Sequence, residues 1–195
     1  MKGTIKNVVI GIFMVALTFG TVAMAEAGNY DFKQFRWGDS EELIKSIEGM
    51  PGDEVDTSLG HTILYNKEAV GLDAILMYTF NDSGLSTVSY TFTEEHSNAK
   101  RYVDDYKKVK ETLKNKYGEP IADLEMWDND DHKARYSDDK DRALEYGFLT
   151  YALKYELERT EIILALAVDN NEYTHMLYYN SLVNPNEEPD YSGDI

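Results

Sequence analysis

The densest gathering of chemistry-bearing side chains is acidic: Asp128, Asp130, Asp131 and His132, followed by Asp138, Asp139 and Asp141. Several carboxylate oxygens on a flexible loop are what a hard cation such as Ca²⁺ requires, and residues 128–141 are expected to form such a loop. Asp128-x-Asp130 leads into His132 without the central Gly and terminal Glu of an EF-hand. Lys133, Arg135, Lys140 and Arg142 are interleaved and neutralise much of the local field. A solvated loop is therefore the first expectation and a low-affinity Ca²⁺ site the alternative. The four histidines, His61, His96, His132 and His175, are not paired at helical ligand spacing. His61 and His175 fall in expected strands, as surface or satisfied structural residues. No H-E-x-x-H, Gly-x-Ser-x-Gly, Walker or Gly-x-Gly-x-x-Gly pattern is present. No catalytic, cofactor-binding or metal-ligating residue is assigned, and the chain is expected not to be an enzyme and to carry no cofactor.

The 15 tyrosines are the other candidates for chemistry, here recognition. Tyr102, Tyr106 and Tyr117 share a helical stripe, and Tyr78, Tyr90, Tyr151 and Tyr155 lie in expected strands, so most should pack between helix and sheet. Adjacent Tyr178 and Tyr179 must point to opposite faces of a strand, which leaves one exposed. A sheet face rich in tyrosine would make a protein-binding surface.

The elements that must position these side chains are legible as periodicities. Asp39, with Glu42 three places on, has the form of a capping box. Leu43, Ile44 and Ile47 then share a helix face, and Gly49-Met50-Pro51 ends the helix. Residues 62–65 read as a short strand. Residues 72–80 and 85–92 flank Asn81-Asp82-Ser83-Gly84, a turn sequence, with Leu76, Tyr78 and Phe80 facing Val88, Tyr90 and Phe92 on one side of a hairpin. The same Asn81-Asp82-Ser83 matches a glycosylation sequon, but turn chemistry accounts for it.

Residues 97–117 form the clearest helix. Ala99, Tyr102, Tyr106, Val109, Leu113 and Tyr117 recur at three- and four-residue intervals, and Lys100, Lys107, Lys108, Lys110, Lys114 and Lys116 occupy the other face. Gly118-Glu119-Pro120 stops it. A strand over 121–127, the acidic loop, a helical turn over 139–146 ended by Gly147, and a strand over 148–157 follow. Glu158-Arg159-Thr160 is a turn. The apolar run 162–168 reads as a strand buried on both faces, Asp169-Asn170-Asn171-Glu172 as a turn, and 173–182 as the last strand. From Pro185 the chain is polar and proline-punctuated, a flexible tail over 185–195.

Charge and location bound the function. Lys2 and Lys6, the uncharged apolar run 8–19, and Ala23-Met24-Ala25 have the order of an export signal cleaved before Glu26; a retained anchor is the alternative. The first 25 residues hold two lysines and no acid, leaving 17 basic against 36 acidic residues in the remainder. Such a surface repels nucleic acid and anionic lipid, so neither nucleic acid nor membrane insertion after cleavage is expected. With no cysteine, disulfides, thiolate metal sites, thiol catalysis and lipidation at cysteine are excluded. An exported chain without disulfides points to a bacterial source, periplasmic or extracellular.

The expected fold class is α+β, with helices packed on a mainly antiparallel sheet. Helix, Gly-x-Pro stop and strands occur twice, with the stops 69 residues apart at Gly49 and Gly118. One domain over 26–184 is expected, and the repeat suggests two fused helix-plus-meander units, 30–95 and 96–184. Trp37-Gly38-Asp39-Ser40-Glu41-Glu42-Leu43-Ile44 with Gly49-Met50-Pro51 resembles the opening helix of the β-lactamase-inhibitor-like superfamily, which includes small outer-membrane-assembly lipoproteins. Lys116-Tyr117-Gly118-Glu119-Pro120 is similar to the helix end of its tandem-repeat members. Residues 160–168, with Leu177-Tyr178-Tyr179-Asn180-Ser181, resemble the closing strand pair of secreted relatives. The resemblance implies helix-and-meander units that bind other proteins and carries over no functional residue.

The expected role is an exported, soluble, non-enzymatic protein-binding or scaffolding module whose partner is another extracytoplasmic protein. Inhibition of a secreted enzyme, with residues 128–141 as the inserting loop, and low-affinity calcium binding are the alternatives.

Overall fold

Residues 30–183 are described by the computed structural model; the segments expected to be an export signal (1–25) and a flexible tail (185–195) lie outside the described residues. The first helix, α1 (Glu41–Glu48), is capped by Ser40, whose hydroxyl accepts from the Leu43 amide at 3.3 Å. Asp39, expected as the cap, instead accepts the Arg36 amide and shapes the approach to the helix. Of the expected apolar face, Ile44 alone is buried; Leu43 and Ile47 stay exposed. Gly49 ends α1 at φ +91, where a side chain would be strained.

Four antiparallel strands follow: β1 (Asp53–Thr57), β2 (Gly60–Ala69), β3 (Leu72–Asn81) and β4 (Gly84–Phe92). The expected hairpin is the β3–β4 pair, Asn81 opposite Gly84 across Asp82-Ser83. β2 is ten residues long where a short strand was expected, and β1 joins its outer side. Next comes α2 (Ala99–Tyr117), capped by Asn98, whose carbonyl accepts from the Arg101 amide. It buries Ala99, Val103, Tyr106, Val109 and Leu113; Tyr102 and Tyr117 flank that stripe half-buried.

β5 (Ala122–Trp127) leads into two short helices, α3 (Asp130–Tyr136) and α4 (Lys140–Glu145). The expected acidic loop over 128–141 is thus mostly helical. Its acidic and amide side chains are the reason: Asn129 caps α3, Asp130 and Asp131 sit in the first turn, and Asp139 caps α4, where carboxylates favour a helix N-terminus. β6 (Leu149–Glu156), β7 (Thr160–Asp169) and β8 (Glu172–Ser181) complete the chain. The β7–β8 turn places Asn170 and Asn171 at φ +50 and +63, a left-handed conformation that Asn tolerates.

The class is α+β: four helices among the described residues and one antiparallel sheet in the order β1-β2-β3-β4-β8-β7-β6-β5. The last strand of each four-strand meander meets the other at the centre, where Val88, Ser89 and Tyr90 pair with Tyr179, Tyr178 and Leu177. The same bond recurs at both helix ends. The Tyr65 hydroxyl on β2 donates to the Gly49 carbonyl at 2.9 Å, and the Tyr155 hydroxyl on β6 to the Gly118 carbonyl at 3.1 Å.

Among the described residues, the helical packing falls on one side of the sheet. Phe32 and Phe35, ahead of α1, stack edge-on against Tyr78, and Trp37 donates from Nε1 to Thr160 Oγ1 at 2.9 Å. Tyr106 and Tyr117 of α2 lie against Tyr151 and Tyr155. β7 is fully buried on this side only, at Ile162, Leu164 and Leu166; Ile163, Ala165 and Ala167 between them are half-buried. The expectation of burial on both faces is corrected accordingly.

Candidate functional site

Side chains alternate across a strand, so the pairing register maps the sheet face that no helix covers. One row crosses it through Ile75, Thr91, Met176, Ala165, Ala152 and Leu124. A neighbouring row runs through Leu64, Met77, Ser89, Tyr178 and Ile163. Together they form an apolar band across seven of the eight strands, and among the described residues no helix packs on it. The band is bounded on one side by Glu68 opposite Asp73, and on the other by Thr62, Thr79, Thr87, Asn180 and Glu161. Thr62 and Thr79 share a hydroxyl bond at 3.0 Å, and Asn180 bridges Thr87 and Glu161. An apolar centre with a polar rim is the anatomy of a protein interface.

This face is not rich in tyrosine. Tyr65, Tyr78, Tyr90, Tyr155 and Tyr179 are buried on the helix side, and Tyr178 is the one of the adjacent pair that faces outward, its hydroxyl 3.0 Å from Met176 Sδ. Burial raises the Tyr178 phenol to about 12, so it stays a neutral donor. Met77, Ile75, Ile163 and Leu64 are half-buried there and carry the surface instead, with Met176 buried between them, and methionine suits an adaptable contact. The signal was present in the sequence as the unbroken apolar run 162–168: its second face belongs to this band.

The acidic residues singled out in the sequence do not converge. Asp128 and Asn129 hold His132 Nδ1, with Asp128 oxygens at 2.8 and 2.9 Å, and the His132 ring stacks on Phe148 at 3.7 Å. Asp139 accepts the Arg142 amide, and Lys140 pairs with Glu125 at 2.8 Å. The flexible loop on which both the cation and the inserting-loop expectations rested is therefore occupied by capping and pairing.

Cation-ligating atoms converge elsewhere, at Glu41, Glu54 and His61, within 4.8 Å of one another. Spacing hid this group, because its members come from α1, β1 and β2. The site already contains its cations. Lys45 bridges Glu41 Oε1 and Glu54 Oε1 at 2.6 Å each. His61 Nδ1 lies 2.9 Å from Asp56 while its Nε2 faces Glu41 and Glu54 at 3.6 and 3.8 Å. The Asp56 bond, against slight burial, holds the His61 pKa above its usual value. The arrangement is an ion-pair network that pins the acidic edge strand β1 to α1.

His175 is neither exposed nor satisfied, contrary to expectation. It is buried between Phe92 and Tyr106, with ring centroids 4.3 and 6.0 Å away, and its Nε2 has no hydrogen-bond partner among the described residues. Tyr106, beside it, has a likewise unpaired hydroxyl. Burial alone drives the His175 pKa down to about 3. His96 Nε2 meets Asp105 at 2.6 Å, and its amide donates to the Tyr102 hydroxyl, which secures the start of α2.

These features define an α+β protein with one helix-covered sheet face and a second on which, among the described residues, no helix packs. No family model matches the chain, and no curated protein matches it. Among solved structures it is similar to the crystal structure of a DUF4309 family protein (YjgB) from Bacillus subtilis. The two are 10% identical, with a TM-score of 0.42 over 78% of this chain and 85% of that one. No helix among the described residues is long and apolar enough to cross a membrane.

Proposed function

We propose that this chain is an exported, non-enzymatic binding or scaffolding module that docks another extracytoplasmic protein on the open face of its sheet. The apolar band from Leu64 and Ile75 to Met176 and Ile163 carries the reading, since apolar surface of that continuity is characteristic of interfaces. The acidic excess of the remainder steers basic-rimmed partners toward it and rejects nucleic acid. The test is a pull-down from the native envelope fraction with the chain tagged at its C-terminus, compared with Ile75→Glu, Ile163→Lys and the helix-side control Lys107→Glu. Stoichiometric recovery of one protein, abolished by both band variants and kept by the control, is the expected result. Equal recovery by all three folded variants, or recovery of nothing in repeated trials, refutes the reading.

A further inference from the structure

A half-open cavity of about 300 Å³ lies on the helix side of the sheet, between the second half of α2 and the β2–β3 turn. Its volume is at the lower end of the range of small-molecule sites, about 300–1,000 Å³. Val109 and Leu113 of α2 and Leu177 of β8 form apolar walls, and Tyr90 and Tyr179 bring phenol groups to the floor. Lys33, Lys67 and Lys116 are among its lining residues, and Glu68 at the end of β2 is the one acidic residue among them. That balance is the reverse of the chain as a whole, where acidic residues outnumber basic ones 36 to 19.

The three lysines are not equivalent. Lys33 and Lys67 are shared with the buried Glu48 carboxylate, at 3.1 and 2.9 Å. Lys116 lies 4.8 Å from the Tyr117 ring centroid and has no carboxylate partner among the described residues. Lys116 is thus the one lining lysine with no ion-pair partner among the described residues, its ammonium resting on the Tyr117 ring. A second observation comes from the lip. Val70, a lining residue, sits at φ +57 in the turn it shares with Gly71. A β-branched side chain is strained in the left-handed region, where Gly or Asn would not be. Backbone strain of this kind concentrates at ligand clamps, and here it maintains an isopropyl group at the mouth of an otherwise lysine-rich cavity.

We propose that this cavity binds a small amphipathic organic carboxylate, its apolar body against Val109, Leu113 and Leu177 and its charge on Lys116. Tyr90 adds a phenol to the same lining, while the Tyr179 hydroxyl is held by Tyr117. The site is on the opposite side of the sheet from the apolar band and does not depend on the protein-docking reading. Calorimetry on the full chain tests it, with octanoate and 4-hydroxybenzoate as probes and 1-octanol as the neutral analogue. The expected result is saturable one-to-one binding of at least one of the two carboxylates. Lys116→Ala weakens it about tenfold or more, and 1-octanol binds about tenfold more weakly than octanoate. Lys116 lies on the helix surface, so its variant keeps the fold, which a melting curve without probe verifies. Thr112→Phe, which fills the cavity from the exposed side of α2, abolishes binding. No saturable binding of either carboxylate at millimolar concentration overturns the proposal, as does undiminished binding by Lys116→Ala or equal binding of 1-octanol.

Discussion

Glu48 shows how a single residue can tie three separate parts of the chain together. Its carboxylate accepts the Tyr78 hydroxyl at 2.6 Å and pairs with Lys67 on β2 and with Lys33 ahead of α1. Burial by itself would raise its pKa, but the bonds from Tyr78, Lys67 and Lys33 prevail and hold it down to about 2. Glu48→Ala strands a buried phenol and is expected to cost about 1–3 kcal/mol, whereas Lys33→Ala, losing a partly exposed partner, costs about 1 or less. Urea titration of the two variants gives both values. The histidines add a pH signature with opposite signs. His175 has a folded pKa of about 3 against an ordinary 6.5, so the unfolded chain binds the extra proton. Its contribution is present above pH 6.5 and is lost progressively as pH falls toward 3. No titratable side chain other than the Tyr106 phenol is among its ring neighbours. His61, with its pKa raised by Asp56, contributes below 6.5 and loses that contribution as pH rises through its folded value; its exposure keeps the effect small. Stability is therefore expected to fall between pH 6.5 and 5, before most carboxylates titrate. His175→Phe should flatten that slope while leaving the loss below pH 4.5 that Glu48 causes. A slope unchanged in His175→Phe would show that His175 is protonated in the fold without penalty.

At the scale of elements, the approach to α1 is fastened to the tip of the β3–β4 hairpin by backbone alone. The Gly38 amide donates to the Leu85 carbonyl and the Leu85 amide to the Asp39 carbonyl, both at 2.9 Å. Gly84 has φ +96, and a Cβ there would lie 2.2 Å from the Gly38 carbonyl oxygen. Gly84→Ala must break this contact as well as adopt a strained turn, and is expected to cost about 2–4 kcal/mol. Ser83→Ala, one residue earlier on an exposed turn, should cost under about 0.5; thermal melts of the pair separate the contact from general turn effects. These same elements show what a sequence discloses. The hairpin was legible because Asn81-Asp82-Ser83-Gly84 interrupts two alternating runs, and α2 because its apolar residues keep one period for five turns. β1 was not, since all five of its residues are exposed and acidic side chains replace any alternation. α3 and α4 were not, because their Asp and Asn residues signal loops and helix caps alike. The open face was half legible. Residues 162–168 announced burial, but only the register across seven strands shows that their second side belongs to a surface.

Across the whole molecule, the order β1-β2-β3-β4-β8-β7-β6-β5 sets two helix-plus-meander halves edge to edge. A joint of five paired residues between β4 and β8 would be a weak hinge if nothing else crossed it. The aromatic packing does cross it. Phe32, from the first half, lies 4.9 Å from Tyr179 and 6.2 Å from both Tyr78 and Tyr90. Trp37 hydrogen-bonds Thr160 on β7, and Asp31 holds Arg159 at 2.9 Å. The segment ahead of α1 thus straddles the seam, and one continuous core includes residues of both halves. Cooperative unfolding follows from that continuity. The two tryptophans make it measurable, because Trp37 reports on the seam and Trp127 on the end of the edge strand β5, most remote from it in strand order. In Trp127→Phe and Trp37→Phe, the remaining fluorophore and the far-UV circular dichroism should give coincident urea midpoints within each variant. Trp37→Phe should shift its midpoint downward, by the roughly 1 kcal/mol of the lost Thr160 bond. If the halves unfold separately, the Trp127 signal will depart from the dichroism transition, and the shared core would then be too weak to hold an open eight-stranded face rigid for a partner.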